Sequence, residues 1–109
     1  MKIDFSRLHE ITIPQMNRGE GCVSTRMFMD PNGKIIRSVL PKGASIGAHQ
    51  HLTNSEVDYV LSGTGTAVCD GEEEVLAAGC CHYCPKGSTH SIQNTGDEDM
   101  VLFTVVSER

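Results

Sequence analysis

The stretch GASIGAHQHLTNSEVDYVLSG, running from Gly43 to Gly63, decides how this chain is read. His49 and His51 lie two residues apart, which on an extended strand puts both imidazoles on one face. Glu56 follows at an odd offset from His51, so a straight strand would send it to the opposite face. The intervening Leu52-Thr53-Asn54-Ser55 contains turn formers, and a loop there is expected to reset the phase and return the carboxylate to the histidines. A second stretch, GCCHYCPKGSTHSIQN from Gly79 to Asn94, places His90 just beyond Pro85-Lys86-Gly87, at the start of another β-rich run. Three imidazoles and one carboxylate make a borderline-hard donor set for a divalent first-row metal.

Working outward, turn signals recur at short intervals, among them Pro31-Asn32-Gly33, Lys42-Gly43, Asp70-Gly71, Gly79 and Thr95-Gly96. Between them lie short β-rich runs at Cys22–Met29, Ile35–Leu40, Val57–Leu61, Thr64–Cys69, Glu74–Ala77, Cys80–Cys84, Ser91–Gln93 and Val101–Val106. Short strands with frequent turns predict an all-β sandwich or barrel. Asp70-Gly71 is a strong two-residue hairpin signal, because both central residues must reach positive φ. No window sustains a helical period, and Phe5–Glu10 has room for one helical turn at most.

The whole chain is 109 residues, the size of one small domain. With 9 basic against 14 acidic residues the net charge is −5, which argues against binding nucleic acid or an acidic membrane through basic patches. No apolar run approaches the roughly 18–20 residues of a membrane span, and no apolar leader is expected at the start. Five cysteines, Cys22, Cys69, Cys80, Cys81 and Cys84, cannot all pair within one chain. A reducing cytoplasmic setting with structural thiols is therefore the expectation, with a redox or metal role for Cys81 and Cys84 as the alternative. The acidic runs at Asp70–Glu74 and Asp97–Asp99 sit at turns and are expected to be solvated.

The two quoted stretches resemble the two motifs of the cupin family. The first is Gly43, His49, His51, Glu56 and Gly63; the second is Gly79, Pro85, Gly87, His90 and Asn94, with every signature position present. The resemblance implies a double-stranded β-helix, a jelly-roll β-barrel of two antiparallel sheets, over residues 18–109. It implies one metal ion (Mn, Fe, Co, Ni, Cu or Zn) on His49, His51, Glu56 and His90, with coordination positions left open for a substrate. Similar cupins commonly dimerise by adding an N-terminal strand to the partner's sheet, which makes residues 1–17 the segment expected to swap in a homodimer.

Parity along Val57–Leu61 puts Asp58 on the face of Glu56, where similar cupins often carry an apolar side chain. An acid there is a candidate general acid or base. Tyr59 is expected to face outward. Within Cys80–Cys84, His82 and Cys84 share one face and Cys81 and Tyr83 the other; which is interior stays open. His82 is a candidate pocket or supporting group, with a simply packed or exposed histidine as the expectation, and His9 is left outside the site. Arg26 and Arg37 are candidates to hold an anionic substrate, or else face solvent. Cys80 stands where cupins commonly have Asp. A metal-dependent enzyme of oxygenase (oxidoreductase) or lyase type acting on a small organic molecule is the leading expectation. A non-catalytic small-ligand binding or sensing module and a sugar isomerase or epimerase are the alternatives. Oxalate decarboxylases of the best-known kind have two cupin domains, which weighs against that class.

Overall fold

A computed structural model describes residues 1–108. The chain forms ten strands: β1 (Ile11–Pro14), β2 (Cys22–Asp30), β3 (Gly33–Leu40), β4 (Ser45–Gln50), β5 (Ser55–Ser62), β6 (Thr64–Cys69), β7 (Glu72–Ala77), β8 (Cys81–Cys84), β9 (Thr89–Asn94) and β10 (Met100–Ser107). They pair into a six-stranded sheet, β1-β2-β3-β10-β5-β8, and a four-stranded sheet, β4-β9-β6-β7. All pairings are antiparallel. The expected runs each become a strand: six of the eight are extended by one to three residues, Thr64–Cys69 is unchanged, and Cys80–Cys84 starts one residue later. Two strands lacked a sequence signal. β1 is short, and β4 carries Gly47, Ala48 and the two polar residues His49 and Gln50. The helical turn expected in Phe5–Glu10 is a short 3₁₀ turn at Phe5–Arg7.

Turn chemistry fixes the register. Asp70 and Gly71 join β6 to β7 with φ of 50° and 83°, the pair of positive values a two-residue hairpin turn needs. At Asp30 the side chain accepts from the Asn32 amide at 2.8 Å and shapes the β2–β3 turn. Segment 1–17 lies along its own chain: β1 pairs with β2, and the Arg26 guanidinium donates to the Leu8 carbonyl at 2.6 Å and to Glu10 at 3.0 Å.

The inward positions change character along the barrel. One half is an apolar plug built from Leu40, Val60, Ile92, Met100 and Leu102, each no more than 2 % exposed. Continue each of those strands toward the other end and the next inward residues turn polar: Ser38 on β3, Asp58 on β5, His90 on β9 and Thr104 on β10. The apolar half supplies the burial that stabilises the fold, and the polar half can therefore be given to a site. Asn94 joins the two sheets at the closed end, donating to the carbonyls of Leu40 and Glu98, each at 2.8 Å.

Candidate metal centre

β4 pairs with β9 through an irregular register: Ile46 opposes Ile92, yet His49 opposes His90. Three residues on β4 thus span two on β9, a one-residue bulge. Without it Ile46 and His49 would face opposite ways; with it both face the barrel interior. Gly47 sits in this bulge against the N-terminal segment, where a Cβ would come within 2.0 Å of the Asn17 carbonyl oxygen. Beyond the strand, His51 is held by backbone bonds to Ser88 and Gly87, and the loop up to Ser55 then restores Glu56 to the inner face. The expected phase reset therefore occurs.

His49, His51, Glu56 and His90 come together. The Nε2 atom of His90 lies 3.1 Å from Nε2 of His49 and 3.0 Å from Nε2 of His51. The Glu56 carboxylate lies 3.3 Å from Nε2 of both His51 and His90. First-row divalent metals bind nitrogen and oxygen at about 2.0–2.2 Å, and two such donors at a right angle stand about 3 Å apart. The observed spacings are therefore those of neighbouring donors around one ion. The other ring nitrogens face away from the centre: Nδ1 of His49 lies 2.8 Å from the Gly47 carbonyl, and Nδ1 of His51 2.5 Å from Oδ1 of Asn54. With the protons on Nδ1, both Nε2 lone pairs are free for a metal.

Burial and neighbouring imidazoles hold His90 down to a pKa of about 3, and burial lowers that of His49. His90 therefore stays neutral well below the usual imidazole range, and the His49 shift has the same direction, so proton competition at both nitrogens is weakened. Burial raises the Glu56 carboxyl.

A cavity of about 140 Å³ opens beside these donors, with His49, Glu56, Asp58, Lys34, Thr104 and Ser38 contributing its polar wall and Ile36, Ile46, Met16, Met27 and Leu102 much of the rest. Asp58 lies where strand parity put it. It is 2 % exposed, and its Oδ1 accepts from the Thr104 hydroxyl at 2.5 Å. Among the described residues its Oδ2 finds no hydrogen-bond partner. Burial first, and then the Glu56 carboxylate beside it, raise the Asp58 carboxyl well above the ordinary range, which favours its protonated form.

One open reading is decided and two expectations need correction. Of the two alternatives for Arg26 and Arg37, a place on the cavity wall is not seen: they oppose each other across β2 and β3, neither lines the cavity, and the cation on its wall is Lys34. Strand parity explains it, since Lys34, Ile36 and Ser38 share a face of β3 that Arg37 does not. His82 is not a simply packed or exposed surplus histidine: it is fully buried and joins His90 to Glu74. Glu74, in turn, is not merely part of a solvated acidic tip, for its carboxylate is held against His82. Cys81 and Cys84 point to opposite faces of β8, exposed and buried, as i and i+3 on a strand must. Burial and the nearby Cys69 push the Cys84 thiol up to about 12, and neither cysteine belongs to the clustered donors. Tyr59 faces outward as expected, 41 % exposed.

Residues 36–106 match the family model of the Cupin domain. The chain belongs to the cupin family. This cupin is 36 % identical over 70 residues to an oxalate-binding protein of Thermotoga maritima, a match covering 64 % of this chain and 58 % of that one. It is 30 % identical over 63 residues to an uncharacterized protein of Methanocaldococcus jannaschii, covering 58 % of this chain and 50 % of that protein. It thus spans about half the length of the curated relatives it matches. The solved structure of a predicted oxalate decarboxylase from Thermotoga maritima covers 100 % of both chains with a TM-score of 0.94 at 28 % identity. A cupin domain from Schizosaccharomyces pombe shares the fold, with a TM-score of 0.82 at 14 % identity over 100 % of this chain and 74 % of that one. No helix among the described residues is long and apolar enough to cross a membrane.

Proposed function

We propose that this cupin holds one divalent first-row metal on His49, His51, Glu56 and His90, and acts as a lyase that decarboxylates a small carboxylate of the oxalate class in the adjoining cavity. The observation that carries the reading is Asp58: a buried carboxyl with an unpartnered oxygen on the cavity wall, next to the donor set. When bound, the metal supplies a Lewis acid for a substrate carboxylate at its open positions. The chain's own residues do the rest. Lys34 faces the cavity and offsets anionic charge there. The apolar wall excludes water. Asp58, whose burial favours the protonated form, donates its proton to the carbon that keeps the bonding electron pair as CO₂ leaves. For the oxalate dianion the C–C bond breaks to release CO₂, the Asp58 proton forms the C–H bond of formate, and the Asp58 carboxylate regains a proton from solvent, so no outside oxidant is needed.

The oxalate class returns to consideration because one relative is an oxalate-binding protein and a structural neighbour a predicted oxalate decarboxylase, although this chain carries one cupin domain. A cavity of about 140 Å³ with a single cation on its wall suits such an acid better than a sugar phosphate. The second reading is oxalate binding without turnover, favoured by the first relative's name and by the apolar share of the cavity wall. Protein loaded in turn with Mn, Fe, Co, Ni, Cu and Zn and given oxalate separates the two. Release of formate and CO₂ supports the lyase; saturable binding with no product supports the binding module. Lys34→Met is expected to weaken oxalate binding about tenfold or more, the scale of a lost hydrogen bond to a charged group. Unchanged affinity would remove Lys34 from the site.

A homodimer belongs to the same reading. β1 leaves one edge unpaired within the chain, and Val57, Tyr59, Tyr83 and Val105 form an exposed apolar face on the neighbouring strands β10, β5 and β8. Light scattering should return twice the 11.8 kDa chain mass at micromolar concentration, and a monomer would refute the dimer.

A further inference from the structure

We propose that Glu74 and His82 are positioning residues: together they fix the tautomer and ring orientation of His90, and so set how tightly the site holds its metal. The inference rests on the metal reading above.

The geometry leaves one consistent direction for every proton in the chain. Nε2 of His90 faces His49, His51 and Glu56, and to bind a metal it must keep its lone pair. Neutral His90 then carries its proton on Nδ1. That nitrogen lies 3.0 Å from Nε2 of His82, which must accept. His82 is thereby required to hold its own proton on Nδ1, and that group donates to Oε1 of Glu74. An ionised carboxylate accepts only, so the sequence is anchored at its outer end. The reverse tautomers would set two N–H groups, or two lone pairs, against each other at one junction.

The ring geometry agrees. The planes of His82 and His90 lie within 12° of each other with centroids 5.2 Å apart. With the nitrogens 3.0 Å apart, the rings lie nearly end to end in one plane, the alignment an imidazole-to-imidazole hydrogen bond requires. His49 and His51 each place Nδ1 against an oxygen from a nearby residue of their own segment. His90 alone of the three relies on a second imidazole, whose tautomer must in turn be set by something else. Glu74 is suited to that task because its carboxylate is held against Nδ1 of His82, which is itself fully buried with both nitrogens engaged. The chain also crosses between the sheets: Glu74 and His90 belong to β7 and β9 of the four-stranded sheet, His82 to β8 of the six-stranded one.

Two measurements test it. Long-range ¹H–¹⁵N spectra of the metal-free protein report each histidine's tautomer directly. In wild type the His82–Glu74 pair should hold the His90 proton on Nδ1, and His82→Leu should shift it toward Nε2, where the Glu56 carboxylate and the facing imidazoles accept it. Competition of the protein against a chromophoric chelator for Zn(II) gives affinity. His82→Leu should weaken Zn(II) binding by about 10–100-fold, the usual cost of losing an outer partner of a metal-binding histidine. Glu74→Ala should shift both readouts the same way, and Glu74→Gln, which keeps an accepting oxygen, should restore part of the loss. Glu74→Ala alters a half-exposed side chain and decides the matter should His82→Leu not fold. A His90 tautomer and Zn(II) affinity unmoved in these variants would overturn the proposal. Wild type that fails to bind Zn(II) but shows the expected tautomers would instead remove the metal reading and leave the hydrogen-bonded chain standing.

Discussion

A His90→Ala protein is expected to fold and to retain no divalent metal through dialysis, a loss beyond the about 10–100-fold that outer partners control. His90 is the hub of the donor set. Its Nε2 contacts both other imidazoles and the carboxylate at 3.0 to 3.3 Å, and it lies deepest, 1 % exposed. Removing it leaves His49, His51 and Glu56 around a gap. The fold should survive because the apolar plug lies at the other end of the barrel, with Ile92 and Asn94 continuing β9 unchanged. Elemental analysis after dialysis and a circular dichroism melt check both parts. His9→Ala, outside the site, serves as the control and should keep its metal. A His90→Ala protein with full metal content would contradict the assignment of the centre.

The second large effect is expected at Asp58. Asp58→Asn should keep metal and fold while turnover of oxalate falls by about 10²–10⁴-fold, the span typical of a lost proton-transfer group. Asn keeps a carbonyl oxygen for the Thr104 hydroxyl but has no proton to give at the required acidity. The same substitution should stabilise the metal-free protein at neutral pH, for a reason that fixes the sign. Folding raises the Asp58 carboxyl above its unfolded value of 3.8. Between the two values the native state binds more protons than the unfolded chain, so stability falls as pH rises. The penalty is absent below pH 3.8, grows through the folded value, and is then constant. Asn bears no such penalty. Thermal midpoints of the two metal-free proteins should therefore be closest in acid and diverge in favour of Asp58→Asn toward neutral pH. Equal turnover in the two proteins would rule Asp58 out as the proton donor, and a gap that narrows with pH would contradict its buried, protonated state.

Much of this architecture was legible because turns and alternation are local. Asp70-Gly71 could only be a tight hairpin, and the alternation of β10 around Met100, Leu102, Thr104 and Val106 states which side is inside. The four donors were legible through motif spacing, and Asp58 through strand parity. What escaped reading was set by contacts between distant strands. β4 carries no clear signal, because a strand that bulges at Gly47 and ends in His49 and Gln50 loses its hydrophobic alternation. The inner face of β8 was undecided, since Cys, His and Tyr are equally at home on either side; pairing of His82 with Asp58 on β5 settles it. Glu74 looked like part of an acidic hairpin, and only the approach of β7 to β8 from another sheet turns it toward a buried imidazole. Lys34 shares the inward face of β3 with Ser38, a parity legible in the sequence that Arg37 lacks.

Calorimetric titration of oxalate into metal-loaded and metal-free wild type, prepared from the same batch, reports whether a small carboxylate binds through a metal held by His49, His51, Glu56 and His90. Saturable binding of one oxalate per chain to the loaded protein and none to the metal-free protein is expected. Equal binding to both, or binding to neither, would rule such a site out.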